Sequence, residues 1–159
     1  MQLITSSVRR NSPQNLDSKI HHNNLINNIL AKIEANIAGA DDALMLDNSG
    51  FVAETNACNI FIIRNSKLLT PSADACLPGI TRSMVIQIAK EANITCIEKN
   101  ISLTEVYTAD EVFITGTMGG LVRVTEVDGR KIINKSGSLL FQHLKDLFAR
   151  KTETEGEAF

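Results

Sequence analysis

The sequence predicts a single compact domain of the α+β class. Hydrophobic periodicity alternates along its 159 residues between the period of two typical of strands and the 3.6 period of helices. Several short apolar runs come in pairs separated by tight-turn residues, which is typical of β-hairpins. The helical segments do not alternate regularly with the strands, so a parallel βαβ array is disfavoured.

Residues 1–18 are predicted to be extended or irregular. The first predicted helix covers "NNLINNILAKIEANIAG" and carries one apolar stripe made of Leu25, Ile26, Ile29, Leu30, Ile33 and Ile37. Gly39 then provides a C-terminal stop. Two hairpins follow, "ALMLDNSGFVAET" and "NIFIIRNSKLLTP", with turns at Asn48-Ser49-Gly50 and at Asn65-Ser66.

The second half repeats these patterns. "TRSMVIQIAKEAN" predicts a helix whose buried face holds Met84, Val85, Ile88, Ala89 and Ala92. "ITCIEKNIS" predicts a strand, "SLTEVYTAD" a short helix or loop capped by Ser102 or Thr104, and "EVFITGT" an apolar strand. "LVRVTEVDGRKII" predicts one hairpin that turns at Asp128-Gly129. A final helix over "SLLFQHLKDLFARK" would bury Leu139, Leu140, Leu144, Leu147 and Phe148.

Composition argues against several classes of partner and site. The formal net charge is −2, and the chain has six Phe and one Tyr, so neither charge nor aromatic content favours binding to nucleic acid or to anionic membranes. No apolar run has the length of a membrane span, and the first 13 residues do not resemble a signal peptide. Three widely spaced cysteines indicate reduced thiols and a cytoplasmic location, and they disfavour structural zinc.

Two loops are candidate anion sites. In "LPGITR" (residues 77–82), Pro78 and Gly79 precede a helix whose first amides, at Ile80 and Thr81, would suit a phosphate. The alternative is a plain turn with Thr81 as the N-cap, and the residues alone favour it. "TGTMGG" (residues 115–120) ends an apolar strand with hydroxyls and glycines. It matches no nucleotide motif, so a simple hairpin connection is the favoured interpretation there too.

Three kinds of titratable residue are candidates for chemistry. Glu54 closes an apolar strand, where a solvent-facing carboxylate is the usual outcome, and a buried one would need a cationic or protonated partner. His21 and His22 are adjacent, which makes them a poor metal pair on a helix, so no metal site is predicted. Lys19 is a candidate catalytic amine, although sequence alone does not favour it over Lys32.

Taken in order, several stretches resemble one family: Lys19 with Asn23 and Leu25, then "AKIEA", "LMLDNSGFVAETNACNIF", "LLTP", "LPGITR", "ADEVFITGT" and "VDGR". From about residue 5 to about residue 150 the chain is similar to the C-terminal, cofactor-binding domain of fold-type IV pyridoxal-phosphate enzymes. These include branched-chain and D-amino acid aminotransferases and aminodeoxychorismate lyase. The resemblance implies the large domain of the D-amino acid aminotransferase-like fold, with β-hairpins in a pseudo-barrel flanked by helices.

The resemblance also implies roles for individual residues. Lys19 corresponds to the Schiff-base lysine, which is the catalytic residue, and Glu54 to the partner of the pyridine nitrogen. The phosphate would be bound at Gly79, Ile80 and Thr81 and by Thr117, while Leu77 would pack on the cofactor ring. The backbone at Met118 would lie near the substrate carboxylate. The implied cofactor is pyridoxal 5'-phosphate, and the implied substrates are an amino acid, of branched-chain type, and a 2-oxo acid.

The chain also departs from the family pattern. Asn24 stands where branched-chain enzymes often have Tyr, "GTxxExxPV" reads "GTMGGLVRV", and "GPxT" reads "GSLL". The expected organisation is a segment like the interdomain connection (1–18), a cofactor domain (19–151) and a polar tail (152–159), without the N-terminal small domain and its phosphate-binding arginine. Arg9 and Arg10 are not assigned as its replacement.

Three functions therefore remain open. The leading hypothesis is an aminotransferase, present as its cofactor domain. The alternatives are a cofactor-binding fragment without turnover, or a lyase-like enzyme, which "TGT" at 115–117 disfavours. A non-enzymatic module would be indicated by loss of Lys19 or Glu54, and both are present. A homodimer is expected, because family members are dimers.

Overall fold

Two mixed five-stranded sheets form the centre of the computed structural model, which describes residues 1–155. The first sheet has the strand order β10-β9-β1-β2-β3 and the second has β6-β5-β4-β7-β8. The strands are β1 (Gln2–Thr5), β2 (Asp42–Leu46), β3 (Val52–Thr55), β4 (Asn59–Arg64), β5 (Lys67–Thr70), β6 (Cys96–Glu98), β7 (Glu111–Gly116), β8 (Gly120–Val124), β9 (Glu126–Val127) and β10 (Arg130–Lys131). The helices are α1 (Ile26–Ile37), α2 (Ile80–Glu91), α3 (Leu103–Tyr107) and α4 (Leu140–Glu155).

The hydrophobic core consists of three clusters, one between the two sheets and two between a sheet and the helices that pack on it. One apolar cluster fills the space between the two sheets, contributed by Leu3, Leu44, Ile60, Ile62, Val112 and Ile114 among others. A second covers the other face of the β4–β7 sheet with α2 and α4, where Phe61 stacks on Phe113 at 5.1 Å between ring centroids. A third joins α1 to β2. The α+β prediction is confirmed.

The predicted turns form because their residues tolerate left-handed backbone. Asn65 and Ser66 have φ of 51° and 59°, and Asp128 and Gly129 have φ of 52° and 73°, as two-residue hairpin turns require. Ser102 caps α3 through a reciprocal capping box with Glu105, which confirms one of the two predicted caps.

Helix α1 forms as predicted, but its apolar stripe does not face the core. The stripe residues are 46% to 82% exposed, and the buried side is the opposite one, formed by Ala31 and Ala35 against Ala43 and Met45 of β2. The small alanine side chains let the helix approach the sheet closely. A continuous row of large aliphatic side chains is therefore left uncovered; we call it the α1 apolar face (Leu25, Ile26, Ile29, Leu30, Ile33 and Ile37).

Three other expectations need correction. The segment predicted as one hairpin is divided between the sheets, because β8 pairs with β7 whereas β9 pairs with β10 and β1. In the last helix Leu139 precedes the first turn and is 77% exposed, while Phe141 is buried instead. The expected polar tail begins as helix, since α4 continues through Glu155; residues 156–159 lie outside the described residues.

No helix within residues 1–155 is long and apolar enough to cross a membrane. The cysteines Cys58, Cys76 and Cys96 are all free, and no disulfide links them.

Candidate functional site

A cavity of about 390 Å³ lies where α2 begins and where strands β3, β4 and β7 end or begin. Seven of the eight residues that the sequence singled out line it. They come from chain segments up to 98 positions apart, and they are Lys19, Glu54, Leu77, Gly79, Ile80, Thr81 and Thr117. The eighth, Met118, is at the tip of the β7–β8 turn, is fully exposed and does not line the cavity.

The N-terminus of α2 opens onto this cavity without a side-chain cap. The N-cap residue is Gly79, with φ −64° and ψ 145°, and there is no acidic residue in the first turn. The alternative in which Thr81 caps the helix is wrong, since Thr81 is inside the first turn. Among the described residues, the amides of Ile80 and Thr81 have no hydrogen-bond acceptor. Two donors at the positive end of a 12-residue helix are therefore free for an anion.

The torsion angles of Gly79 are open to any residue, but the close approach of a neighbouring side chain leaves no room for a Cβ at this position. A Cβ at this position would lie 2.3 Å from Oδ1 of Asn59. The Asn59 amide in turn donates to the Leu77 carbonyl at 2.8 Å and to Oε2 of Glu54 at 3.1 Å. Asn59 therefore ties the "LPG" turn to the Glu54 carboxylate, and the turn can adopt this position only without a side chain at 79.

Glu54 is buried, 4% exposed, against the expectation for an isolated carboxylate at a strand end. Its Oε1 accepts from Nε of Arg10 at 2.7 Å, and its Oε2 accepts from Asn59 and from the Leu77 amide at 3.2 Å. Burial raises the pKa of Glu54, and the Arg10 charge opposes that rise. A carboxylate offers about four acceptor positions, so these three donors leave one for a ligand.

Arg10 is a residue at this site to which the sequence analysis gave no role. It is buried, and its Nη1 also donates to Oδ1 of Asn27 at 3.0 Å, which anchors the guanidinium on α1. The only available signal was indirect: a buried Glu54 needs a cation, and Arg10 lies 44 positions before it in the chain. Arg10 is therefore the counter-charge of the Glu54 carboxylate.

Lys19 is the lysine among the residues that line the cavity, whereas Lys32 lines a neighbouring cavity of about 370 Å³. The Lys19 side chain is 45% exposed, and its Nζ lies 4.0 Å from Oδ2 of Asp17. The Lys32 ammonium is instead 3.4 Å from Oδ1 of Asp42. His21 lines both cavities, and Glu54 is shared between them. Within residues 1–155 no group of three His, Cys, Asp or Glu side chains has the geometry of a metal site.

The "TGTMGG" segment is a tight hairpin connection that also contributes to the cavity wall. Gly116 pairs with Gly120, which has φ 60°, so the connection residues form a turn as the alternative interpretation expected. Thr115, Gly116 and Thr117 nevertheless line the cavity. The hairpin interpretation and the site interpretation are therefore compatible.

Comparison with known proteins agrees with this arrangement. The family model described as amino-transferase class IV matches residues 1–127. The chain is 53% identical over 154 residues to branched-chain-amino-acid aminotransferase-like protein 2 of Arabidopsis thaliana, covering 97% of this chain and 28% of that protein. It is 46% identical over 149 residues to a putative branched-chain-amino-acid aminotransferase of Methanocaldococcus jannaschii, covering 93% of this chain and 52% of the relative.

Solved structures show the same fold. The branched-chain aminotransferase of Thermoproteus uzoniensis with norvaline superposes with a TM-score of 0.91 at 34% identity, over 98% of this chain and 52% of that one. The branched-chain amino acid aminotransferase from Thermobaculum terrenum, in its PLP-form (holo-form), gives a TM-score of 0.89 at 31% identity, over 95% of this chain and 50% of that one.

The chain thus spans between about a quarter and about half of the length of these relatives. Within that span, the family match covers most of the residues that form the two sheets and the cavity between their ends. The chain belongs to the class IV aminotransferase family.

Proposed function

We propose that this chain binds pyridoxal 5'-phosphate in the 390 Å³ cavity and provides the cofactor half of an aminotransferase. The observation that carries the proposal is the convergence, in one cavity, of a lysine amine, a buried carboxylate and the free first-turn amides of a helix. The likeness to branched-chain aminotransferases, one of them solved in its PLP-form, supports it.

The residues present fit this cofactor at both of its polar ends. The amides of Ile80 and Thr81 and the hydroxyls of Thr81 and Thr117 would hold the phosphate. The remaining acceptor position of Glu54 would accept a hydrogen bond from the protonated pyridine nitrogen, and the carboxylate charge would keep that nitrogen protonated. Leu77 would pack against the ring.

When bound, the cofactor supplies a carbonyl for condensation with amines and a ring that withdraws electrons from the substrate's alpha carbon. Lys19 is the amine that would hold it covalently and, once released by an incoming amino acid, would carry the proton from that carbon. The backbone near Met118 would contact the substrate carboxylate. The reaction would exchange an amino group between an amino acid of branched-chain type and a 2-oxo acid.

One observation favours a second candidate, cofactor binding without turnover. The Lys19 ammonium is half-exposed and lies beside Asp17, and the structure does not tie it to Glu54 or to α2. A domain that binds the cofactor without catalysing transfer would have the same phosphate and pyridine contacts.

The titration of the purified chain with pyridoxal phosphate, followed by visible absorption, separates these possibilities. The proposal predicts saturable binding and a lysine-adduct band that is lost in Lys19→Ala and kept in Lys32→Ala. Saturable binding without a Lys19-dependent band would contradict the role proposed for Lys19. No binding to either the parent chain or the variants would refute the proposal. Steady-state assays with valine and 2-oxoglutarate then test for turnover.

We propose that the chain forms a homodimer through the α1 apolar face, because a row of large exposed aliphatic side chains is typical of an interface. We also propose a cytoplasmic location, because the three thiols are free. Replacing both Ile29 and Ile33 by Ser should convert dimer to monomer in sedimentation, and circular dichroism should show that the monomer remains folded. Ile133→Ser, at a position that is exposed but outside this face, is the control. Unchanged association of the double variant would exclude this face.

A further inference from the structure

Thr115 lines the cavity next to Asn59, the residue that contacts the turn before α2. It lies on β7, directly opposite Asn59 of β4 in the antiparallel register. Side chains alternate along a strand, so Thr115 shares a face with Phe113, which packs in the same cluster as Val85 of α2. Thr115 therefore projects from the sheet toward the helix layer, beside the residue that contacts the turn before α2.

The Thr115 hydroxyl has no hydrogen-bond partner. The residue is 2% exposed, and within the described residues no donor or acceptor reaches its Oγ1. The hydroxyls of two other buried threonines in these sheets do form hydrogen bonds: Thr70 donates to the Ile60 carbonyl at 2.8 Å, and Thr55 donates to the Cys58 carbonyl at 3.1 Å. A buried hydroxyl without a partner destabilises the folded chain, so its presence needs an explanation.

Two kinds of donor, backbone amides and threonine hydroxyls, would meet at this point if the Thr115 hydroxyl were used. The free amides of Ile80 and Thr81 lie in the first turn of α2, and Thr115 and Thr117 line the same cavity. The only acid that borders the cavity is Glu54, among its described lining residues, and Arg10 already neutralises it. Amide and hydroxyl donors in a cavity that is also lined by Lys19 suit a multiply charged oxyanion.

We infer that Thr115 is a further ligand of the phosphate group, with its hydroxyl donating a hydrogen bond to a phosphate oxygen. This inference rests on the proposed cofactor function. Thr115 lines the cavity, and rotation about its Cα–Cβ bond would turn the buried hydroxyl toward it. The hydroxyl, which lacks a partner in the free chain, would gain one when phosphate binds.

Thr115→Val tests this because valine has nearly the same shape and lacks the hydroxyl. We expect the variant to bind pyridoxal phosphate and inorganic phosphate about ten-fold or more weakly, as for a lost hydrogen bond to a charged group. Its affinity for pyridoxal, which has no phosphate, should stay unchanged. The ligand-free variant should unfold at the same temperature as the parent or higher, because the unpartnered hydroxyl has gone. Thr115→Ser should keep the parent's affinity.

Thr70→Val is the matched control. It removes a buried hydroxyl that does have a partner, so it should lower the unfolding temperature and leave all three affinities unchanged. Parent-like affinity of Thr115→Val for phosphate would overturn this inference but not the proposed function. So would a loss of affinity for pyridoxal as large as the loss for pyridoxal phosphate. Lower ligand-free stability in Thr115→Val would assign the hydroxyl a structural role and would also overturn it. A parent chain that binds none of the three probes would instead refute the proposed function.

Discussion

Replacing Arg10 with Met lowers the free energy of unfolding at pH 7 by about 3–5 kcal/mol, as for other buried ion pairs that lose one partner. The guanidinium is the cation that faces the buried Glu54 carboxylate, at 2.7 Å. Methionine preserves most of the apolar contact of the arginine side chain, so the loss reports on charge. Chemical denaturation followed by circular dichroism measures it.

The pH dependence of this loss gives a sharper test. Burial raises the pKa of Glu54 above its unfolded value, so the folded chain holds this proton more tightly. The stabilisation from proton binding is present at pH below the ordinary carboxyl pKa and is lost as pH rises through the raised value. Without Arg10, which opposes the rise, that pKa moves further upward. The cost of Arg10→Met should therefore shrink toward acidic pH.

The double variant Arg10→Met with Glu54→Gln is the control, since it removes both buried charges. It should recover much of the stability lost in Arg10→Met, because glutamine can still accept from Asn59 and Leu77. A cost below about 1 kcal/mol for Arg10→Met, independent of pH, would mean that Glu54 is not held as a charged partner.

Gly79→Ala has the second large effect. The added Cβ would lie 2.3 Å from Oδ1 of Asn59, so either the turn or the Asn59 side chain must move. Overpacking of this kind costs about 1–3 kcal/mol of unfolding free energy. The shift also disturbs the Asn59 bonds to Glu54 and Leu77, so we expect pyridoxal phosphate to bind about ten-fold more weakly, on the scale of one lost polar contact.

Gly119→Ala provides the comparison, because a Cβ there meets Val122 at an ordinary 3.5 Å. Gly119 lies in the β7–β8 turn and does not line the cavity, so its replacement should leave binding unchanged. Parent-like stability and affinity in Gly79→Ala would contradict the tie between Asn59 and the turn.

Local patterns in the sequence predicted most of the elements and several of the turns, since periodicity and turn residues act within a few positions. They did not identify which side of α1 packs on the sheet. Periodicity places Ile26 and Ile33 on one face, but the buried face is the one that carries Ala31 and Ala35. The pairing of β1 with β9, more than 120 residues apart, left no local signal.

The same limit applies to the site. The two loops and Lys19 were candidates from their residue types, and the resemblance gave them roles, whereas Arg10 was not assigned a role and Thr115 was considered only as part of its loop. Arg10 matters only because the fold buries Glu54 beside it. The Thr115 hydroxyl is informative only because a folded environment leaves it without a partner. Both depend on contacts between distant segments, which single-sequence patterns do not encode.

Borohydride reduction with peptide mass mapping tests most directly whether this cavity holds pyridoxal phosphate on Lys19. The chain is mixed with stoichiometric pyridoxal phosphate, reduced, digested and sequenced by mass spectrometry. We expect a phosphopyridoxyl group on Lys19 alone, suppressed by excess inorganic phosphate. Labelling of Lys32, labelling spread over surface lysines, or no labelled lysine at all would contradict the proposed site.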